Sequence, residues 1–446
     1  MPEQLIEEDF FDPMGMLVES HSQPLIDHRI IPSSDSAIAA INDVVASVIS
    51  VDVDSRKLAR KRRRRADDLA KLVYCIRMIL SNLIVEVCAQ GSEASVRISR
   101  SNRDKKASRY KPNWLTVTMT NAATELLEQP KNDLIVLNKG MHSLVVGEGI
   151  QSTLKSSEGL LLLAQGYSKD DFTHAPELEV IVLKSKEKGG RGFSGGRPKG
   201  KRIEYVDTDY TQKARNDMRA INGYLREADI EFKGIALPHK DRQLIRYFNE
   251  DFSRGGRLFK GRWQAHSKAE RHLYAINGGR CVEVDFKACN LYLAYACAGL
   301  SLPECVEGDP YTFRGAGMSL KRDGIKTIML AMLCADKPLT VFPSGTRKAS
   351  GAGRSEKFKD IETLIVERHK AIAHLFYTGI GMRLQYKESE IIVATLLDLQ
   401  NRGVVALPIH DCVVVAEEDQ TVAKSVMLEA FLGVSGQHGE VVIDSL

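Results

Sequence analysis

The sequence predicts an α+β fold with more than one domain, and three observations carry this prediction. The chain has 446 residues, which exceeds the usual size of one domain and favours two or three. Apolar residues alternate with carboxylates at 282–286, as in a strand with one buried face. A helical stripe of apolar side chains follows at 325–333, so the C-terminal part combines strands and helices.

Changes in composition divide the chain into four parts. Residues 1–55 carry Pro, Ser and Asp without sustained periodicity and predict a mobile leader. Residues 56–205 begin with the basic run SRKLARKRRRR and predict a nucleic-acid-binding module. We expect that run to contact phosphate, because adjacent like charges repel one another unless an anion neutralises them. Residues 206–254 predict a helical connector or thumb, and 255–446 predict the main domain.

Short periodic segments predict the local elements of the first half. Helices are expected at 37–50, 67–87 and 121–129, and strands at 114–119, 134–138, 160–165 and 178–185. Short helices followed by paired strands suit a winged-helix-like module. The Gly-rich basic segment at 184–202 is expected to be a loop, either a phosphate-binding arm or a hinge. Helical character is expected again at 208–231 and 241–249.

Overall charge and cysteine content exclude several classes of protein. The formal net charge is only +4, so any affinity for nucleic acid must come from local clusters of positive charge. The eight cysteines form no CxxC pair, which argues against a zinc site or a disulfide framework. Continuous apolar stretches are short and the first residues are acidic, so we expect no membrane span and a cytoplasmic location.

Two aspartates are the first candidates for chemistry. Asp285 stands where the alternating strand of 282–286 ends, and Asp411 follows His410 between the apolar runs VVALPI and CVVVA. Those runs predict a β-hairpin with the two polar residues at its tip. An isolated His-Asp pair is more often a simple polar turn, but two adjacent carboxylates would repel each other and favour divalent cations.

A pair of basic residues lies between the aspartates in the sequence. Arg322 and Lys326 stand one turn apart at the edge of the apolar stripe, so both can reach the same anion. A triphosphate suits them, because guanidinium and ammonium groups neutralise the charge that shifts during transfer. A surface pair of this kind is usually only solvated, so its significance depends on its place between the carboxylates.

These features together resemble the single-subunit nucleic-acid polymerases typified by bacterial DNA polymerase I and the phage RNA polymerases. Asp285-Phe286 in VEVDFKACNLYLA is similar to the first palm motif of that family, and His410-Asp411 in LPIHDCVVV is similar to the last. Three further segments match the fingers helix and the regions that contact template and primer: Arg322, Lys326 and Leu330; Gly256-Arg257-Leu258 with Gln264 and Arg271; and Leu384-Gln385. The five elements keep the family's order, and the closest likeness is to compact polymerase-like proteins of phages and bacterial mobile elements.

The resemblance implies a right-hand palm and fingers with a short thumb, and it assigns roles to residues. Asp285 and Asp411 would be catalytic and would bind two Mg²⁺ ions together with Phe286, with Mn²⁺ as an expected substitute. Nucleotide contacts are implied for Arg322, Lys326, Leu330 and Asn290. Template–primer contacts are implied for Arg257, Gln264, Arg271, Gln385 and His410. Carboxylates of second rank are Glu283, Asp309 and Glu388.

The chain departs from the family at positions that bear on the sugar and the base. Asn290 stands where DNA polymerases of this kind place a glutamate that blocks the ribose 2′-hydroxyl. Leu330 replaces the expected aromatic residue, and the tyrosine of the phage RNA polymerases falls on Cys334. The choice between ribonucleotides and deoxyribonucleotides is therefore open.

The expected function is template-directed transfer of nucleotides from nucleoside triphosphates to a primer 3′-hydroxyl. Nucleic acid template and primer are the expected partners, with an unidentified replication helper protein. One alternative is a primase or RNA polymerase variant that starts chains without a primer, which Asn290 motivates. Another is a non-catalytic replication initiator or regulator that binds DNA through residues 56–202 and keeps the palm as a scaffold.

Overall fold

The computed structural model confirms an α+β fold and describes residues 23–99, 108–140, 151–186, 200–313 and 320–445. The chain forms two compact units that divide between Leu178 and Glu179. Each unit has its own hydrophobic core, and each is described here by itself.

The first unit combines helices with short antiparallel strands. Its helices are α1 (Asp35–Leu58), α2 (Ala66–Gln90), α3 (Val117–Leu127) and α4 (Glu158–Ala164). Its strands are β1 (Ile30–Pro32), β2 (Ser95–Ile98), β3 (Ile135–Asn138), β4 (Ser152–Ser156) and β5 (Phe172–His174). Strand β4 pairs with β2 and β3, and β1 pairs with β5. Helix α2 supplies much of the core through Leu72, Ile76, Ile79 and Leu83, which recur on one face and are fully buried.

Helices expected at 37–50 and 67–87 are confirmed within α1 and α2, and the strand expected at 134–138 is confirmed as β3. The strand expected at 114–119 is wrong, because α3 begins there and the Thr116 side chain accepts a hydrogen bond from Met119 N as an N-cap.

One other expected strand is a helix in the structure. The strand expected at 160–165 is wrong, since residues 160–164 belong to α4. A run of four leucines satisfies either periodicity, and here Leu160 is buried while Leu162 is 62% exposed. Residues 1–22 of the predicted leader and most of the Gly-rich segment at 184–202 lie outside the described residues, whereas residues 23–55 contain β1 and most of α1.

Helices α1 and α2 are long and apolar enough to cross a bilayer by length and composition alone. The sequence-based expectation of no such segment was incomplete, because their apolar residues are spread over helical faces instead of forming one continuous run. In α2, 61% of the most apolar stretch is buried inside the unit, and in α1 the figure is 28%. Such helices are common in the cores of soluble proteins, and they are only a weak indication of a membrane span.

The second unit contains the segments that resemble polymerase motifs. Its strands are β6 (Ile181–Lys184), β7 (Ile230–Phe232), β8 (Ile235–Ala236), β9 (Ile245–Asn249), β10 (Asp251–Phe259), β11 (Tyr274–Ile276), β12 (Gly279–Phe286), β13 (Leu407–Ile409), β14 (Cys412–Ala416) and β15 (Val441–Ser445). Its helices are α5 (Asp209–Glu227), α6 (Lys268–Arg271), α7 (Cys289–Cys297), α8 (Leu302–Cys305), α9 (Arg322–Cys334), α10 (Thr346–Ser350), α11 (Phe358–Arg368), α12 (Gly381–Asn401) and α13 (Gln420–Ser435).

Strand β12 lies at the centre of a seven-stranded sheet in the order β13-β14-β12-β11-β7-β8, and β15 also pairs with β12. Strands β10, β9 and β6 form a second sheet, in which β6 runs parallel to β9. Helix α12 packs against β10, α13, α7 and α5, so it links the second sheet to the helices. This arrangement places the strand that carries Asp285 and the hairpin that holds Asp411 in the same sheet.

The domain boundary expected near residue 205 differs from the division at Glu179. Strand β6 precedes residue 205 but pairs with β9, and this pairing commits it to the second unit. Residues 206–254 are likewise not a separate helical connector. The buried face of α5 joins the same core as the central sheet, and the helix expected at 241–249 is replaced by strand β9.

Candidate functional site

The two predicted aspartates come together at one end of strand β12. Strands β12 and β14 are antiparallel, and their register places Asp285 opposite Cys412, the residue next to Asp411. Phe286 N donates a hydrogen bond to the Asp411 carbonyl over 3.3 Å. His410 adopts a φ of +55°, as the turn of a tight hairpin requires. The expected strand and hairpin are therefore both present, and they bring the two carboxylates into electrostatic contact.

The electrostatics of Asp285 reflect this crowding of negative charge. Burial, together with the charge of Asp411, raises the pKa of Asp285 to about 7. Glu283 and Asp444 act in the same direction, whereas the ammonium group of Lys326 opposes them and lowers this pKa. The carboxylate pair thus carries charge that its protein surroundings do not fully neutralise, which is the condition that a divalent cation relieves.

Helix α9 presents its basic residues on the face opposite its buried stripe. Ile325, Ile328, Met329, Met332 and Leu333 are buried as expected, while Arg322 and Lys326 are exposed and Leu330 is half-buried. Lys326 is close enough to Asp285 for its charge to act on that carboxylate.

Arg322 has a partner of its own outside the aspartate pair. Its Nε donates to Asp309 Oδ2 over 2.9 Å, and its guanidinium lies 5.2 Å from the centre of the Tyr311 ring. Asp309, expected as a carboxylate of second rank, therefore orients an arginine in this structure.

A buried ion pair lies behind the aspartates. Glu388 is completely buried on α12 and accepts two hydrogen bonds from Arg257, at 2.7 and 2.8 Å. Asn290 Nδ2 donates to the same carboxylate over 3.2 Å. Burial raises the pKa of Glu388 above its ordinary value, and the contacts with Arg257 and Asn290 offset part of this rise. The guanidinium of Arg257 thus positions Glu388 while 22% of its side chain stays exposed, and its expected contact with template or primer stays a prediction.

Strand β10 brings Arg257 to this position through an irregularity in its pairing with β9. The register shifts at Gly255 and Arg257, and Gly255 and Gly256 have φ values of +76° and +83°. A Cβ atom on Gly256 would lie 2.5 Å from Ser389 Oγ on α12. Only glycine allows both the positive φ and the close approach of the two elements.

Cys289 completes a cluster whose ligand atoms could surround a metal ion. Its Sγ and carboxylate oxygens of Glu388 and Asp411 lie within 4.8 Å of one another. Burial, with the charge of Glu388 next, raises the pKa of the Cys289 thiol well above its ordinary value, so the sulfur is protonated in the absence of a metal. Glu388 is already paired with Arg257. Asp411 thus belongs to this cluster and is also the carboxylate whose charge acts on Asp285.

The remaining predicted template–primer residues support the hairpin and the sheet. Gln264 Nε2 donates to the carbonyls of Leu258 and Pro408, and this ties the segment before α6 to strand β13. Arg271 Nε donates to buried Glu283 over 2.5 Å. Arg271, expected to contact template or primer, therefore forms an ion pair with Glu283, which was expected as a carboxylate of second rank.

His410 lies in the turn between β13 and β14, and Gln385 lies on α12. The His410 ring packs edge-on against Phe259, and burial, with the charge of Arg257, lowers its pKa. Gln385 is half-buried on α12. Phe286, expected near the metals, has a buried side chain 5.3 Å from the ring of Phe431, so only its backbone faces the hairpin.

Sequence reasoning missed a basic cleft of about 510 Å³ beside α12. Its lining includes Arg383, Lys387 and Tyr386 together with Ser253 and Glu390. Arg383 and Lys387 stand one turn apart on α12, and Lys387 is next to Glu388 in the sequence. That i, i+4 spacing was visible in MRLQYKE, but only the packing of α12 against β10 shows that the two side chains line a cleft.

Comparison with known proteins adds no relative from which this site could be assigned. No family model matches the chain, and no curated protein matches its sequence.

Proposed function

We propose that this protein is a template-directed nucleotidyltransferase that extends a nucleic-acid primer with nucleoside triphosphates. The observation that carries the proposal is the electrostatic contact of Asp285 on β12 with Asp411 in the turn of the neighbouring hairpin, with Lys326 acting on the same charge. Crowded carboxylates beside a cation are suited to a reaction in which metal-bound phosphate changes its charge. In this proposal the β12 sheet and hairpin act as the palm, α9 belongs to the fingers and the first unit is a winged-helix-like nucleic-acid-binding module.

The side chains divide the work of the reaction among themselves. Asp285 and Asp411 would hold two Mg²⁺ ions, which when bound activate the primer hydroxyl and stabilise the leaving pyrophosphate. Lys326 and Arg322 lie on one face of α9 and neutralise the triphosphate. Arg322 exchanges its contact with Asp309 for the substrate, which is feasible because its side chain is 42% exposed.

The ion pair of Arg257 and Glu388 supports this site from behind. Their bidentate contact is buried, and it fixes α12 against the bulged strand β10. Asn290 is held by the same carboxylate, so the side chain that stands at the expected sugar position is oriented before substrate arrives. The cleft lined by Arg383 and Lys387 offers positive charge for a nucleic-acid backbone on the other side of α12.

A second candidate function is synthesis with ribonucleotides or without a primer. It is favoured by Asn290, which stands at the position where the DNA polymerases that this chain resembles have a glutamate. The amide nitrogen of Asn290 donates a hydrogen bond to Glu388. An amide at this position removes one negative charge near the sugar. Under either function the protein would act in the cytoplasm with nucleic acid as its partner.

The test is a primer-extension assay with the full chain in Mg²⁺. We expect Asp285→Asn and Asp411→Asn each to reduce incorporation by at least about 10³-fold, because the loss of one metal ligand removes several kcal/mol of transition-state stabilisation. Binding of the primed template should persist. Parallel reactions with ribonucleotides, with deoxyribonucleotides and without primer separate the two candidate functions.

Asp398→Asn is the matched control, because Asp398 is a surface carboxylate of the same unit that pairs with Arg402. It should leave the rate of incorporation unchanged. Normal synthesis by Asp285→Asn would overturn the proposed function.

A further inference from the structure

The first unit contains a cavity of about 430 Å³ where the end of α1 meets the beginning of α2. Its walls combine a basic set with an apolar set. The lining residues are Arg56, Lys57, Lys61, Arg63 and Arg64, then Ile49, Val53 and Leu69, and Asp52. The basic run that connects the two helices therefore lines an open cavity, in which Arg56 and Arg64 are half-buried while Lys57, Lys61 and Arg63 are exposed.

The charge inside this cavity is unbalanced. The lining has five cationic side chains and a single carboxylate, Asp52. That carboxylate is 5% exposed, and Arg64 binds it with both Nε and Nη2, at 2.9 and 3.2 Å. Asp52 can therefore offset only Arg64, and the lining holds no carboxylate for the other four cations. Their mutual repulsion is relieved when an anion enters.

Arg56 gives an independent indication of a missing ligand. Its Nε is buried, and it has no hydrogen-bond partner within the part of the chain that the structure describes. A buried guanidinium donor without an acceptor is costly, so an acceptor is expected at this position. Phosphate oxygens fit this donor, because guanidinium groups bind them with paired hydrogen bonds.

The size of the cavity and its apolar wall restrict the class of ligand that fits it. Its volume lies within the range of about 300–1,000 Å³ that is typical of small-molecule sites and exceeds what a bare phosphate needs. Ile49, Val53 and Leu69 supply an apolar wall for an uncharged group beside the phosphate. We propose that this cavity binds a nucleotide through its phosphates, either as a free nucleotide or as part of a nucleic-acid strand.

The inference rests on the proposed function only in its choice of a nucleotide as the ligand. It differs from a diffuse attraction to basic sequence, because Arg60 and Arg62 belong to the same run but are not part of the lining. This alternation offers a matched comparison within four consecutive residues. Removing two charges from the cavity and removing two charges beside it change the net charge equally.

The experiment compares Lys61→Gln/Arg63→Gln with Arg60→Gln/Arg62→Gln in the full chain, in EDTA. Binding is measured for a fluorescein-labelled single-stranded oligonucleotide by anisotropy, and for ATP and inorganic pyrophosphate by calorimetry. We expect the cavity pair to weaken binding at least about tenfold and to reduce the slope of log K against log salt by about two, one for each lost phosphate contact. The control pair should change the affinity less than about threefold.

The ligands separate the two sources of phosphate. Loss of ATP binding in the cavity pair identifies a free nucleotide, whereas loss confined to the oligonucleotide identifies a strand. Equal losses in both pairs, or no loss in the cavity pair, would overturn the inference. Circular dichroism melting of both pairs checks that each is folded. The binding assays run in EDTA, where the proposed metal-dependent reaction cannot proceed, whereas primer extension in Mg²⁺ tests the catalytic proposal, so failure of one proposal is distinguishable from failure of the other.

Discussion

Asp285 destabilises the metal-free protein when it ionises, because burial and the charge of Asp411 both oppose its negative charge. Its pKa of about 7 in the folded protein lies above its ordinary value of 3.8. Between these values the folded state binds more protons than the unfolded chain, so the free energy of unfolding falls as the pH rises through this window. The destabilisation is of the order of a few kcal/mol and is fully developed above about pH 7.

We therefore expect Asp285→Asn in EDTA to be more stable than the parent protein at about pH 8 and nearly equal to it at about pH 4. Urea unfolding at the two pH values measures the difference. Mg²⁺ at about pH 8 should stabilise the parent but not the variant, because the parent alone keeps both carboxylates. Asp398→Asn serves as the surface control. A variant whose pH dependence runs parallel to that of the parent would refute this account of Asp285.

At this scale the sequence predicted the aspartate pair but not the partners of the surrounding residues. Strand alternation ends at Asp285 and the hairpin places Asp411 at its tip, so both positions follow from local patterns. The pairing of Arg257 with Glu388 does not, because the two residues lie on elements joined only by the packing of α12 on β10. A guanidinium that appears available in the sequence is satisfied inside the fold.

Helix α9 depends on a close contact that places its basic face. A Cβ atom added at Gly324 would overlap the backbone of Ser350 and Ala349 in α10. Backbone atoms cannot move aside as the end of a flexible side chain can. The backbone contact between Lys321 N and the Ser350 carbonyl, 2.8 Å long, holds the same two helices together.

We expect Gly324→Ala to lower the affinity for nucleoside triphosphate by about tenfold, because α9 must shift and carries Arg322 and Lys326 with it. The affinity is measured by fluorescence titration in Mg²⁺, and the melting temperature should fall as well. Gly223→Ala in α5 is the matched control, since a Cβ there meets nothing within 4 Å. It should be neutral or slightly stabilising. Unchanged affinity in Gly324→Ala would show that α9 tolerates the shift.

Elements of the second unit were predicted more reliably from sequence than those of the first, and the reason is physical. The strand at 282–286 and the stripe at 325–333 each show one clear period. Residues 160–165 show no single period, and 114–119 contain a helix cap within a β-branched segment. Short apolar runs satisfy either structure, so their neighbours in space decide the outcome.

The whole molecule consists of two cores, and strand β6 decides where the second begins. Ile181, Val182 and Leu183 are buried in the second unit, although they lie before the Gly-rich basic segment that suggested a boundary near 205. A change of composition predicts a loop, but it cannot show that the strand before the loop pairs with β9. Parallel pairing across a long connection leaves no local signal in the sequence.

This arrangement predicts that the fragment Glu179–Leu446 folds alone, whereas a fragment beginning at residue 206 is strongly destabilised. Deleting β6 removes three buried aliphatic side chains, each worth roughly 1.5–3 kcal/mol, and exposes the edge of β9. The sum approaches the stability of a typical domain, about 5–15 kcal/mol. Thermal melting followed by circular dichroism should show a cooperative transition for the longer fragment and a transition lowered by at least about 10 °C, or none, for the shorter.

Within the longer fragment, Ile181→Ala should lower the melting temperature while Val206→Ala, at a position 85% exposed, should not. Equal melting of the two fragments would mean that β6 contributes nothing to the second core and that the boundary lies where the composition changes.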